Sequence, residues 1–137
     1  MKPEIQKGGF HSDHRGTLFY NNGFDATAVK RFYVIENNDT FLVRGWQGHK
    51  IEQRWFSAIN GSFEVCLIKV DNWDSPSKNI VKDTFILRCD KLDILHVPKG
   101  YVSSIKSLSE GARLLVMADY LLGEVNDEYR YDIDYFL

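Results

Sequence analysis

The stretch Val43-Arg44-Gly45-Trp46-Gln47-Gly48-His49-Lys50 concentrates the reactive side chains of this chain. It sets a glutamine and a histidine two residues apart, with an arginine before them, a lysine after them and Arg54 close behind. An imidazole titrates at ~6.5 when unperturbed, so His49 suits the role of a base that removes a proton from carbon beside a ketone. That step needs a donor for the oxygen that gains charge. The Gln47 amide can donate to a ketone or enolate oxygen, although it cannot take up a proton. Tyr33 can supply a second proton from the opposite face, which an epimerisation needs and a one-base shift along a single face does not. Guanidinium groups bind oxyanions through paired N–H donors, so Arg15, Arg44 and Arg54, with Lys50 as a point charge, are candidate ligands for a diphosphate. Trp46, Trp55 and Tyr101 are candidate stacking faces, and Ser103 closes a second motif that begins at Pro98.

Each of these residues also has a plainer reading. His49 can be a half-buried strand histidine satisfied by backbone, Gln47 an inert polar lining, and Tyr33 a core residue between Phe32 and Val34. Arg15 and Arg44 can pair with carboxylates across strands, and Arg54 with Glu64 on a facing strand. His11 and His14 read as solvated turn residues, His96 as a hydrogen-bonded strand histidine, and Trp46, Trp55 and Trp73 as core or interface. A transition metal wants several imidazole, thiolate or carboxylate donors at once, and one histidine beside a fixed positive charge is a poor cage. No metal and no organic cofactor are expected.

These side chains must be held by a framework of strands. Short β-branched and aromatic runs separated by Gly, Asn, Asp and Pro predict strands over 17–21, 29–36, 41–45, 54–59, 62–70, 84–88, 93–97, 103–106 and 113–119. Asn60-Gly61 between two such runs predicts a type I′ hairpin, which needs positive φ at both residues. Residues 72–79 read as a surface loop, and the acidic, tyrosine-rich tail 123–137 as a short helix or turn packed back on the domain. Strands at this spacing make a sandwich or barrel whose mouth can hold a small ligand.

The chain has 137 residues and a net charge of −2, which predicts one domain over 1–137. Its charges are interspersed, so nucleic acid is not an expected partner. No apolar run reaches the ~20 residues needed to span a bilayer, so no membrane is expected either. Two cysteines, Cys66 and Cys89, fit reduced thiols in the cytoplasm.

The spacing Gln47-x-His49, Arg54, Gly61 resembles the cupin frame His-x-His-x4-Glu-x6-Gly, and Pro98-Lys99-Gly100-Tyr101-Val102-Ser103 resembles the frame Pro-x-Gly-x-x-His. The positions that hold metal in metallo-cupins are therefore Gln47, His49, Arg54 and Ser103 here. Asp13-His14-Arg15-Gly16, Val29 to Ile35, Asn60-Gly61-Ser62, Leu114 to Ala118 and the closing Tyr131-Asp132-Ile133-Asp134-Tyr135-Phe136-Leu137 extend the likeness over nearly the whole length. The chain resembles the RmlC-like sugar-nucleotide cupins. The nearest type is the dTDP-6-deoxyhexos-4-ulose 3,4-ketoisomerases (WxcM-like, C-terminal), and the dTDP-4-dehydrorhamnose 3,5-epimerases are more distant. The resemblance implies an all-β cupin (double-stranded β-helix, jelly-roll) barrel and a metal-independent cytoplasmic homodimer acting on a dTDP-linked keto-sugar. It also implies two histidines and a nearby tyrosine as the acid–base set, from which Gln47 departs. Two functions stay open: an isomerase or epimerase, and a non-catalytic cupin that binds or senses a sugar nucleotide.

Overall fold

The apolar runs fold as antiparallel strands, and no helix forms. The computed structural model describes residues 1–137. In chain order the strands are β1 (Glu4–Gln6), β2 (Gly9–Asp13), β3 (Gly16–Tyr20), β4 (Arg31–Ile35), β5 (Val43–His49) and β6 (Arg54–Asn60). They continue with β7 (Ser62–Lys69), β8 (Asp83–Arg88), β9 (Ile94–Val97), β10 (Tyr101–Ser107), β11 (Arg113–Ala118) and β12 (Tyr129–Arg130). One sheet has the order β1-β9-β6-β11-β4, the facing sheet the order β12-β5-β10-β7-β8, and β2-β3 forms a separate two-stranded hairpin. This is the all-β cupin barrel that the sequence led us to expect.

Alternation along the strands sends one set of side chains between the sheets. Phe63, Val65 and Leu67 of β7, Leu95 of β9 and Leu114 and Val116 of β11 are all fully enclosed there. Burying each such side chain is worth about 1.5–3 kcal/mol, so this shared core holds the two sheets face to face. A smaller cluster, Trp46, Ile68, Val70, Val102 and Phe136, lies outside the second sheet. The C-terminal aromatics cover it: Tyr131 donates to Trp73 O and Tyr135 to Pro76 O at 2.6 Å. The tail is thus a strand and turns that plug an outer sheet face, not a helix.

The Asn60-Gly61 turn departs from the expected hairpin. Only Gly61 has positive φ (66°), no non-glycine residue does, and β6 and β7 belong to different sheets. The chain turns a corner there: Asn60 Nδ2 donates to Gly111 O, and Cys89 N donates to Gly61 O. Glu64 is consequently not opposite Arg54, and that pairing does not form. β4 is an edge strand on which Phe32, Tyr33 and Val34 are all exposed, and the β2–β3 hairpin is exposed along nearly its whole length.

Candidate active site

The motif is strand, which decides where its side chains go. On β5, Trp46 and Gly48 face the outer cluster while Gln47 and His49 face the space between the sheets. Gly48 is required by close approach: a Cβ there would sit 2.6 Å from Tyr101 O on β10. Simple alternation would put Arg44 with Trp46. It does not, because the β5–β10 register slips between Ser103↔Gln47 and Ile105↔Arg44, leaving one extra residue on β5. This bulge returns Arg44 to the face of Gln47 and His49.

These residues line a cavity of about 710 Å³ together with Arg31, Tyr33 and Ile35 of β4, Arg54 of β6 and the segment 121–128. It narrows between the sheets to a recess of about 40 Å³ floored by Tyr101, Ser103 and Ile105. Neither Arg31 nor Arg44 pairs with a carboxylate. Arg44 Nε lies 3.4 Å from Asn37 Oδ1, and the Arg31 guanidinium lies over the Tyr33 ring at 5.2 Å. Their charges are left available at the cavity wall.

His49 is set by a residue far along the chain. Its Nδ1 lies 3.0 Å from the backbone oxygen of Asp127, which can only accept, so Nδ1 carries the hydrogen and Nε2 keeps the lone pair. Burial, and after it the Arg54 charge, hold the imidazole below its ordinary pKa, against smaller opposing effects of Asp127 and Glu52. A neutral ring with a free Nε2 is the form a proton acceptor requires. The Asp127 carboxylate accepts from Lys50 N, Ile51 N and Glu52 N, each at 2.8 Å. Glu52, also buried, pairs with Arg54 Nη1 at 3.1 Å, and its other oxygen lies 3.5 Å from His49 Nδ1. One residue further on, Glu128 Oε1 accepts from Gln47 Nε2 at 2.6 Å. Gln47 keeps its second amide hydrogen for another acceptor.

His49, Glu52 and Asp127 bring donor atoms within 4.8 Å of one another, yet the set does not suit a cation. The Asp127 carboxylate is occupied by three backbone donors, Glu52 by Arg54, and His49 Nδ1 by its own hydrogen. A metal would have to break these bonds beside a fixed guanidinium.

Of the residues singled out from sequence, the structure brings together His49, Gln47, Tyr33, Arg44, Arg54, Tyr101 and Ser103. It separates three others. Trp46 is buried in the outer cluster against Phe136, with Nε1 donating to Ile133 O, so it offers no stacking face. Lys50 lies past the strand end, exposed and outside the cavity wall. Arg15 sits at the β2–β3 turn, paired with Asp13 at 2.7 Å and remote from this chain's own cavity lining. Arg54 lines the cavity, with its Nη1 paired to the buried Glu52 at 3.1 Å. Trp55 lies on the outer face, stacked on His96, whose Nε2 is 2.6 Å from Gln53 Oε1. Sequence reasoning missed Arg31, Glu52, Asp127 and Glu128. Residues 31, 33 and 35 share a strand face, which marks Arg31 once Tyr33 is chosen; the others carry no local sign.

Two facing antiparallel sheets, with a polar cavity opening beside the shared core, make a cupin-type barrel. The sequence pattern of the WxcM-like, C-terminal family (FdtA) matches residues 2–137, and the chain belongs to that family. No curated protein matches it. Among solved structures it is similar to a 3,4-ketoisomerase from Helicobacter canadensis, with 24% identity, 98% of this chain and 95% of that one covered, and a TM-score of 0.75. It is similar to a histidine-to-asparagine variant of the 3,4-ketoisomerase QdtA from Thermoanaerobacterium thermosaccharolyticum in complex with TDP-4-keto-6-deoxyglucose (24% identity, 97% and 90% covered, TM-score 0.73). A third is ChmJ, a 3'-monoepimerase from Streptomyces bikiniensis in complex with dTDP-quinovose (14% identity, 96% and 70% covered, TM-score 0.73).

Proposed function

We propose that this chain is a metal-independent sugar-nucleotide isomerase that moves protons beside the ketone of a dTDP-4-keto-6-deoxyhexose. The observation that carries the reading is the His49 ring, held by Asp127 O so that Nε2 remains unprotonated at a cavity whose wall also bears the unpaired guanidiniums of Arg31 and Arg44. Family membership and neighbours that hold TDP-4-keto-6-deoxyglucose or dTDP-quinovose support the same substrate class. In this reading His49 Nε2 takes the proton on carbon next to the ketone, and the second amide hydrogen of Gln47 donates to the oxygen that gains charge. Arg44 and Arg31 hold the diphosphate. Tyr33, on the opposite sheet, supplies the second proton where the outcome is an epimer.

The enzyme works as a cytoplasmic homodimer in polysaccharide biosynthesis. Its two thiols are free. The exposed apolar side chains Phe10, Leu18, Phe19, Phe32 and Val34 on the β2–β3 hairpin and edge strand β4 supply a surface for a second copy to cover.

Incubation with TDP-4-keto-6-deoxyglucose in D2O tests the chemistry. Deuterium enters a ring carbon beside the ketone with the wild type, and His49→Asn abolishes this while leaving nucleotide affinity within a few-fold. Intact exchange in the variant removes His49 from the mechanism. Gln47 favours a second reading, because an amide cannot carry a proton where the family has a second imidazole: a binding protein that raises its melting temperature with TDP and exchanges nothing.

A further inference from the structure

His49 accounts for only one of the two hydrogens that a ketone shift moves. Moving a carbonyl from one carbon to its neighbour relocates two hydrogens, one between carbons and one between oxygens, and the bond from Nδ1 to Asp127 O leaves His49 a single free nitrogen. Gln47, two residues away on the same face, takes up no proton. The group that does lie beside it is a carboxylate: Glu128 Oε1 accepts from Gln47 Nε2 at 2.6 Å and from Arg130 Nη2 at 2.7 Å, and Glu128 lines the cavity. Both bonds fall on Oε1, so Oε2 has no partner within the protein. Glu128 directly follows Asp127, so consecutive residues of one segment hold the base and present the carboxylate.

We propose that Glu128 is a second catalytic residue, the carrier of the oxygen-bound proton in a 3,4-ketone shift; this rests on the isomerase reading above. His49 Nε2 takes the hydrogen on C3 as a proton, the electron pair of that bond forms the C3–C4 double bond, and the C4 carbonyl pair moves onto O4. Glu128 takes the proton of the C3 hydroxyl and gives it to O4. The C3 carbonyl then forms, the double-bond pair takes the proton from the His49 imidazolium at C4, and both catalytic groups return to their starting states. One hydrogen has passed from C3 to C4 and one from O3 to O4, with no oxidant, reductant or co-reactant.

Glu128→Gln separates proton transfer from positioning, because its amide oxygen still accepts from Gln47 and Arg130 but takes up no proton. With TDP-4-keto-6-deoxyglucose, carbon-13 NMR follows the 3-keto product while deuterium uptake at C3 follows His49. The expected result is a fall in product formation of about 100-fold or more in Glu128→Gln, with C3 exchange within a few-fold of wild type and part of the rate retained by Glu128→Asp. Product formation in Glu128→Gln within about threefold of an active wild type overturns the proposal, as does joint loss of C3 exchange and TDP binding, which marks a positioning role. A wild type that binds TDP yet neither exchanges nor isomerises overturns the isomerase reading and this inference with it.

Discussion

Asp127 is 2% exposed and gathers four hydrogen bonds around the base, so its truncation is the most informative perturbation of stability. Asp127→Ala removes the acceptor for the N–H groups of Lys50, Ile51 and Glu52. A buried donor left without a partner costs about 1–3 kcal/mol. The Glu52 bond is fully buried and bears the upper part of that range, whereas the bonds of Lys50 and Ile51 are only part-buried and reachable by water. The expected loss is about 3–5 kcal/mol, which for a domain of this size lowers the melting temperature by about 10–17 °C. Urea denaturation and calorimetry measure it. Nitrogen-15 NMR of the imidazole reads the second consequence, because a displaced Asp127 carbonyl releases Nδ1 and lets the proton redistribute to Nε2. Asp127→Asn keeps one acceptor oxygen and should fall between alanine and wild type. A loss below about 1 kcal/mol together with an unchanged imidazole spectrum would refute the claim that this carboxylate anchors the base.

Acid should weaken both the fold and the activity in the same range. Burial lowers the pKa of His49, with Arg54 the next cause, and burial lowers that of His96. For a base whose folded pKa is depressed, the unfolded chain binds the extra protons, so the stabilisation is complete above ~6.5 and is lost as pH falls below that value towards the folded pKa. Urea titrations at a series of pH values should show a plateau near neutrality and a decline below it, and the acid limb of deuterium exchange should lie under the free imidazole value; a limb above it contradicts the buried neutral ring. Arg54→Met leaves Glu52 buried without its cation and should cost about 3–5 kcal/mol. It should also raise the His49 pKa, read by NMR titration, and an unchanged value would remove Arg54 from the causes.

The strands around the site were largely legible because their apolar runs are short, β-branched and separated by breakers. The run predicted over 41–45 stopped short of Gln47 and His49, which β5 carries, because Gln47, Gly48 and His49 supply no apolar alternation. The imidazole of the motif stood out because few side chains take a proton near neutrality. β1, β2 and β12 were not legible: they are short and polar, and they exist through the partners they pair with. The Asn60-Gly61 pair looked like a hairpin because dipeptide composition reports a turn but not which sheets its flanks join. Trp46 and Arg44, both taken as site residues, part company for a related reason: Trp46 directly precedes Gln47 and so faces away from it, whereas Arg44 reaches the face of Gln47 only through the bulge. Alternation is a local rule, and one extra residue against β10 shifts every side chain before it to the other face.

By itself the sequence determined the class of chemistry available: one base, an amide that donates and cannot shuttle, and a cluster of arginines around the motif. Only the tertiary structure decided which nitrogen of the base is free, because Asp127 lies 78 residues from His49 and hydrogen bonds between such distant segments leave no period or spacing in the chain. The same holds for Glu52 pairing with Arg54 and for Glu128 standing beside Gln47. Those are facts of packing, fixed by which segments the shared core brings together.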